Sequence, residues 1–85
     1  MKKVTIYSGD PCPFCAAAKA LLKTKDVEIE EFDIWKDPAK AKEMLQKTNG
    51  ARSIPQIFIG NHYIGGNDQL QAANRDGKLD ELLKD

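Results

Sequence analysis

The chain is short of the residues that open several other chemistries. Among its 85 residues there are two cysteines, one histidine and one tryptophan. A structural zinc site takes about four N, S or O ligands, and beyond the cysteines only His62 is available, so zinc would need two copies of the chain. Net charge is missing too: 13 Lys and Arg balance 13 Asp and Glu, which leaves no overall field to recruit nucleic acid or an anionic membrane. No apolar run approaches the roughly 20 residues of a membrane span. Repeats, low-complexity tracts and linkers are absent, and the length suits one core, so a single domain is expected over 1–85. Met1-Lys2-Lys3 leads into a strand without an apolar leader, which makes the expected location cytoplasmic.

Both cysteines fall in one tetrapeptide, Cys12-Pro13-Phe14-Cys15, where a short apolar strand gives way to a helix-forming run. If residue 12 caps the helix, the sulfurs come within disulfide reach. The free N–H groups and partial positive charge of the helix start then favour a thiolate. Cys12 is the expected nucleophile, with its pKa lowered. Cys15, one turn further in, is the expected resolving thiol. As a structural staple the pair would close a loop too short to constrain the unfolded chain much. A CxxC beside a βαβ pattern points to redox work.

The charge is uneven along the chain. Residues 1–25 carry Lys2, Lys3, Lys19, Lys23 and Lys25 against Asp10, whereas 26–50 carry seven acids against four lysines. The first βα unit therefore reads as locally basic on the side that carries Cys12, although Lys19 and Lys23 individually read as a solvated helix face.

Val4, Ile6 and Tyr7 give a first strand, and Pro11 and Pro13 mark the turn into a helix. Phe14, Ala18, Leu21 and Leu22 follow a 3.6-residue period, so that stripe is expected to pack on a sheet. A second strand spans Val27 to Ile34. Asp37-Pro38 starts a second helix with Ala41, Met44 and Leu45 inward, and Asn49-Gly50 stops it. Ile57-Phe58-Ile59 reads as a buried strand, Gly60-Asn61 as a hairpin turn, and His62-Tyr63-Ile64 as the return strand. After Gly65-Gly66, Asn67 or Asp68 caps a helix that Gly77 ends, and Leu79, Leu82 and Leu83 form a last amphipathic piece. The order βαβαββαα implies an α/β sandwich of the thioredoxin type, a four-stranded mixed sheet with helices on both faces.

With its motifs in this order the chain resembles the glutaredoxins nearly end to end: Cys12-Pro13-Phe14-Cys15, Ser53-Ile54-Pro55, Gly65-Gly66, then Asn67-Asp68. The resemblance implies reduction of glutathione mixed disulfides and protein disulfides, with glutathione as co-substrate and no tightly bound cofactor. It implies that Pro55 is the family's cis-proline, although only about 5–6% of X–Pro bonds are cis in general. The backbone of Ser53 and Ile54 would then pair with glutathione like a short strand. Gly66 would let backbone approach the ligand, and the helix start at Asn67 would receive the γ-glutamyl carboxylate. Asp68 would hold the α-ammonium; its alternative is a plain helix-terminal acid. Lys42 and Arg52 are candidates for the glycyl carboxylate, against a reading as solvated charges. Phe14 would lie beside the ligand.

Three departures from the family's pattern stand out. Gly9, followed by Asp10, occupies the place of a lysine common three residues before the first cysteine. Phe14 replaces a commoner tyrosine, and Asn67 stands where a third cysteine often lies. Asp10 should oppose thiolate formation at Cys12. His62 reads as a surface residue, Trp35 as packing over a sheet edge, and Tyr7 receives no role.

The reading is a glutathione-dependent thiol–disulfide oxidoreductase, a monomer with glutathione and disulfide-containing or glutathionylated proteins as partners. Ribonucleotide reductase is one candidate among these. The alternatives are an electron donor fed by thioredoxin reductase and a dimeric iron–sulfur or zinc carrier built on Cys12.

Overall fold

The computed structural model describes all 85 residues. Eight elements follow in the expected order: β1 (Val4–Ser8), α1 (Pro13–Lys23), β2 (Ile29–Asp33), α2 (Pro38–Lys47), β3 (Gln56–Ile59), β4 (His62–Gly65), α3 (Asn67–Arg75) and α4 (Lys78–Leu83). The sheet order is β2-β1-β3-β4. β1 and β2 run parallel from Val4↔Ile29 to Ser8↔Asp33. β3 lies antiparallel to β1, with Tyr7 opposite Gln56, and β4 antiparallel to β3. The C-terminal ends of β1, β2 and β4 therefore meet the N-terminal end of β3 at one end of the sheet. Everything chemically interesting in the chain is delivered there.

Alternation along the strands divides the core. Val4, Ile6, Ile57 and Ile59 pack on one face with Ala18, Leu22, Leu70, Leu79 and Leu83, all at most 1% exposed. Tyr7 and Phe58 point to the other face and pack on Met44, with Phe32, Ile34 and Ile54 beside them. Each fully buried Leu or Ile contributes about 1.5–3 kcal/mol of transfer free energy, so α1 is anchored to the sheet mainly through Leu22 and Ala18. The helix that carries the cysteines is thus tied to β1 from below.

Four sequence expectations need correction. The inward stripe of α1 is Cys15, Ala18 and Leu22, and Phe14 is 63% exposed. A cysteine side chain is as apolar as a small aliphatic one, and with Cys12 as the cap the helix phase turns Phe14 outward. β2 begins at Ile29, two residues later than expected, because Lys25 and Asp26 extend the turn after α1 and Asp26 has φ 57°. The cap of α3 is Gly66, one residue before Asn67. Finally, the lysine excess does not gather at Cys12. Lys2 and Lys3 lie at the far end of β1, Lys3 pairs with Glu30 (3.4 Å), Lys19 with Glu31 (2.8 Å) and Lys25 with Asp80 (3.0 Å).

Candidate active site

Cys12 is the N-cap of α1, extended at φ −153°, with Pro13 in the first helical position. Its sulfur accepts the N–H of Cys15 at 3.1 Å. The two cysteines form a disulfide with Cα atoms 5.2 Å apart. Cys12 is partly exposed whereas Cys15 is 1% exposed, buried by the packing that seats α1. No acidic residue occupies the first turn of α1, so the positive end of the helix is unopposed from within the helix. When the bond is reduced, a thiolate at Cys12 keeps the Cys15 N–H as a donor, and Cys15 stays shielded behind it. The pair is built for one accessible nucleophile and one protected partner.

Beside this helix start lies a cleft of about 270 Å³ lined by Phe14, Ser53, Ile54, Pro55, Gly66, Asn67, Asp68 and Gln69. Seven of the residues read from the sequence as ligand-binding are thereby brought to one place. Lys42 and Arg52 are not: both are exposed and neither lines the cleft. The Ile54–Pro55 peptide is cis, as is Asp10–Pro11, for which the sequence carried no expectation. Neither the N–H nor the C=O of Ile54 is used in a backbone hydrogen bond. Across the cleft the N–H groups of Asn67 and Asp68 are likewise free, while Gln69 turns back to accept the Gly66 N–H at 2.9 Å. A side chain at Gly66 would bring a Cβ to 3.4 Å from the Pro55 carbonyl oxygen and 3.3 Å from Gln69 Oε1. Glycine there lets the two walls approach each other.

One supporting residue escaped the sequence reading, and another was read without its partner. Gln56, 3% exposed, donates from Nε2 to Ser53 O (2.8 Å) and Ser53 Oγ (3.1 Å), and its Oε1 accepts the hydroxyl of Tyr63. This side chain braces the Ser53–Pro55 wall from behind. A polar residue directly after proline in an otherwise apolar strand is the signal that could have found it. Trp35 does pack at the sheet edge, as expected, and its ring lies against Gly9 so closely that a Cβ at residue 9 would come within 2.6 Å of it.

Tyr7 is fully buried and donates its hydroxyl to Glu43. Burial first, and the Glu43 carboxylate second, push its pKa well above the usual tyrosine value. The same hydrogen bond, helped by Lys40 at 3.2 Å, holds the Glu43 carboxyl below its usual range. Glu31 is lowered by Lys19 and then by Ser8, which donates to it at 2.5 Å. These contacts fasten α2 and α1 to the sheet and do not enter the cleft. Nowhere do three or more His, Cys, Asp or Glu side chains gather as metal ligands.

Comparison with known proteins agrees with this geometry. The glutaredoxin family model matches residues 4–64. The chain is similar to a probable glutaredoxin of Synechocystis sp., with 48% identity over 81 residues that cover 95% of this chain and 92% of that protein. Among solved structures it is similar to a glutaredoxin from Brucella melitensis, with a TM-score of 0.82, 45% identity, and coverage of 99% of this chain and 90% of that one. It is also similar to a buckwheat glutaredoxin–glutathione complex, with a TM-score of 0.83, 29% identity, and coverage of 94% and 74%.

Proposed function

Because the chain belongs to the glutaredoxin family, and so is a thiol–disulfide oxidoreductase, we propose that its electron donor is glutathione and its substrates are glutathione mixed disulfides and protein disulfides. The observation that carries this is the cleft beside α1, with free backbone groups on both walls. A tripeptide supplies what those walls lack. Its backbone can pair with the N–H and C=O of Ile54 as an added strand. Its γ-glutamyl carboxylate suits the free N–H groups at the start of α3. Its ammonium suits Asp68, which is exposed and has no ion-pair partner within the chain. Phe14 offers an apolar face near the sulfur.

In the proposed cycle the Cys12 thiolate attacks the glutathione sulfur of a protein–glutathione disulfide. A Cys12–glutathione disulfide forms, and the protein leaves as a thiolate that takes a proton from water. A second glutathione thiolate then attacks the glutathione sulfur of that intermediate, releasing oxidised glutathione and returning Cys12 as thiolate. With a protein disulfide the intermediate links Cys12 to the substrate. Cys15 then resolves it, which leaves the Cys12–Cys15 disulfide for two glutathione molecules to reduce. The protein acts as a monomer in the cytoplasm, where glutathione keeps the dithiol reduced. Ribonucleotide reductase is one protein substrate the family resemblance suggests.

The test is a coupled assay on a glutathionylated peptide, with NADPH consumption measured through glutathione and glutathione reductase or, separately, through thioredoxin reductase. Turnover in the first system with none in the second is expected. The reverse result would overturn the choice of donor.

A further inference from the structure

The sheet order places the glutathione cleft on one side of the disulfide only. Its walls come from the loop before β3 and from the α3 start after β4, whereas β2 lies on the opposite flank of β1. Just beyond the end of β2, on that opposite flank, stands Trp35. One face of its indole is seated on Gly9, three residues before Cys12, and the residue remains 57% exposed. Its backbone is fixed as well: Asp33 Oδ1 accepts the N–H of Trp35 at 2.9 Å and that of Lys36 at 3.3 Å. In sequence the indole is flanked by Asp33, Lys36 and Asp37, and Gly9 is followed by Asp10; none of these four takes part in an ion pair, and Lys40 nearby is paired with Glu43. An aromatic ring held with one face outward amid surplus carboxylates suits a cation, since an Arg or Lys side chain gains from the ring and the charges together.

We propose that Trp35 is a docking platform for the protein half of the substrate disulfide, and that it favours segments carrying Arg or Lys near the reactive cysteine. With the glutathione half occupying the β3/β4 side, the protein half leaves across Gly9 and meets the indole. Glycine at position 9 is what seats the ring, because any side chain there would displace it. Which side is left to the protein half rests on the proposed glutathione site, whereas the docking itself is tested through the dithiol chemistry alone, without glutathione.

The experiment uses two peptides, each closed by one internal disulfide and identical except for Arg or Glu beside the cysteines. Each is mixed with the reduced protein, quenched by alkylation, and analysed by mass for the rate of ring opening. The native protein should open the Arg peptide faster than the Glu peptide. Trp35→Ala should lower the rate on the Arg peptide by roughly two- to fivefold, the size of an exposed cation–π contact, and leave that on the Glu peptide nearly unchanged. Gly9→Ala, which keeps the tryptophan but unseats it, should lower the Arg-to-Glu ratio in the same direction. Equal rates on both peptides with the native protein would overturn the proposal. So would an equal loss on both in Trp35→Ala, which would mark the ring as merely structural.

Discussion

Replacing Asp68 by Asn removes one charge from the cleft and keeps the side-chain shape. Asp68 lines the cleft at the start of α3, and it forms no salt bridge that the substitution would break. The folded protein should therefore lose little stability: a first-turn carboxylate contributes about 0.3–1 kcal/mol through the helix dipole. The effect on the ligand is larger. A hydrogen bond to a charged group is worth about 1.5–3 kcal/mol, and the exposure of Asp68 argues for the lower end. At about 1.4 kcal/mol per decade, kcat/KM toward a glutathionylated peptide should fall by about tenfold. The control is a small disulfide lacking the γ-glutamyl group, whose ammonium is absent and whose reduction should change less than twofold. Steady-state kinetics on the two substrates, with a thermal melt of each protein, decide the matter. Equal losses on both, or no loss on either, would leave Asp68 as a helix-terminal acid without a part in recognition.

Cys15→Ser should retain most deglutathionylation activity and lose protein-disulfide reduction, and Cys12→Ser should lose both; loss of deglutathionylation in Cys15→Ser would show that the buried thiol is needed for the glutathione step. Tyr63→Phe removes one anchor of Gln56, and Gln56→Leu removes the brace on Ser53. Both should raise KM for glutathionylated peptide more than they lower kcat, by roughly two- to tenfold for a hydrogen bond of ordinary strength, whereas a fall in melting temperature with unchanged KM would make the brace purely structural. Because the carboxyls of Glu31 and Glu43 are held below their usual range, their stabilisation is present above about pH 4.3, the usual Glu value, and is lost as pH falls through their folded values. Melts followed by circular dichroism should show the melting temperature dropping below about pH 4, less so in Glu43→Gln. They should also show a second drop above about pH 10, the usual Tyr value, because the raised pKa of Tyr7 favours its neutral form in the folded state. A flat acid limb would contradict the first assignment, and a flat alkaline limb the second.

Much of the fold was legible because its signals are local. Pro38 after Asp37, Gly77 after α3 and the Gly60-Asn61 turn each act on the few residues around them, and strand alternation sorts Val4 and Ile6 from Tyr7 without reference to the rest of the chain. Phe14 failed for a different reason. Its spacing to Ala18 fits a buried stripe as well as Cys15 to Ala18 does, and only the position of the cap, which sets the phase of the helix, decides between them. The cleft was read as a set of motifs from three separate stretches. The antiparallel placement of β3 against β1 is what brings those stretches together. Gln56 stayed hidden, and Trp35 was placed over a sheet edge without its partner, because each acts through a residue that sequence spacing does not reveal. One is the carbonyl of a loop residue, and the other is the bare Cα of a glycine just past the end of a neighbouring strand.

The Gly9–Trp35 contact also changes how Gly9 should be understood. As a departure from the family pattern it is a missing cation, and Asp10 beside it deepens the deficit. In the structure an indole lies over the position, and Lys3, Lys19 and Lys25 of the first βα unit are committed elsewhere, to Glu30, Glu31 and Asp80. Stabilisation of a Cys12 thiolate then falls to the start of α1, through the Cys15 N–H and the helix dipole. An exposed lysine contributes a charge that salt screens within about 10 Å at 0.1 M, whereas a backbone N–H at 3.1 Å acts at contact. The flank freed of its lysine becomes available for recognition of the substrate.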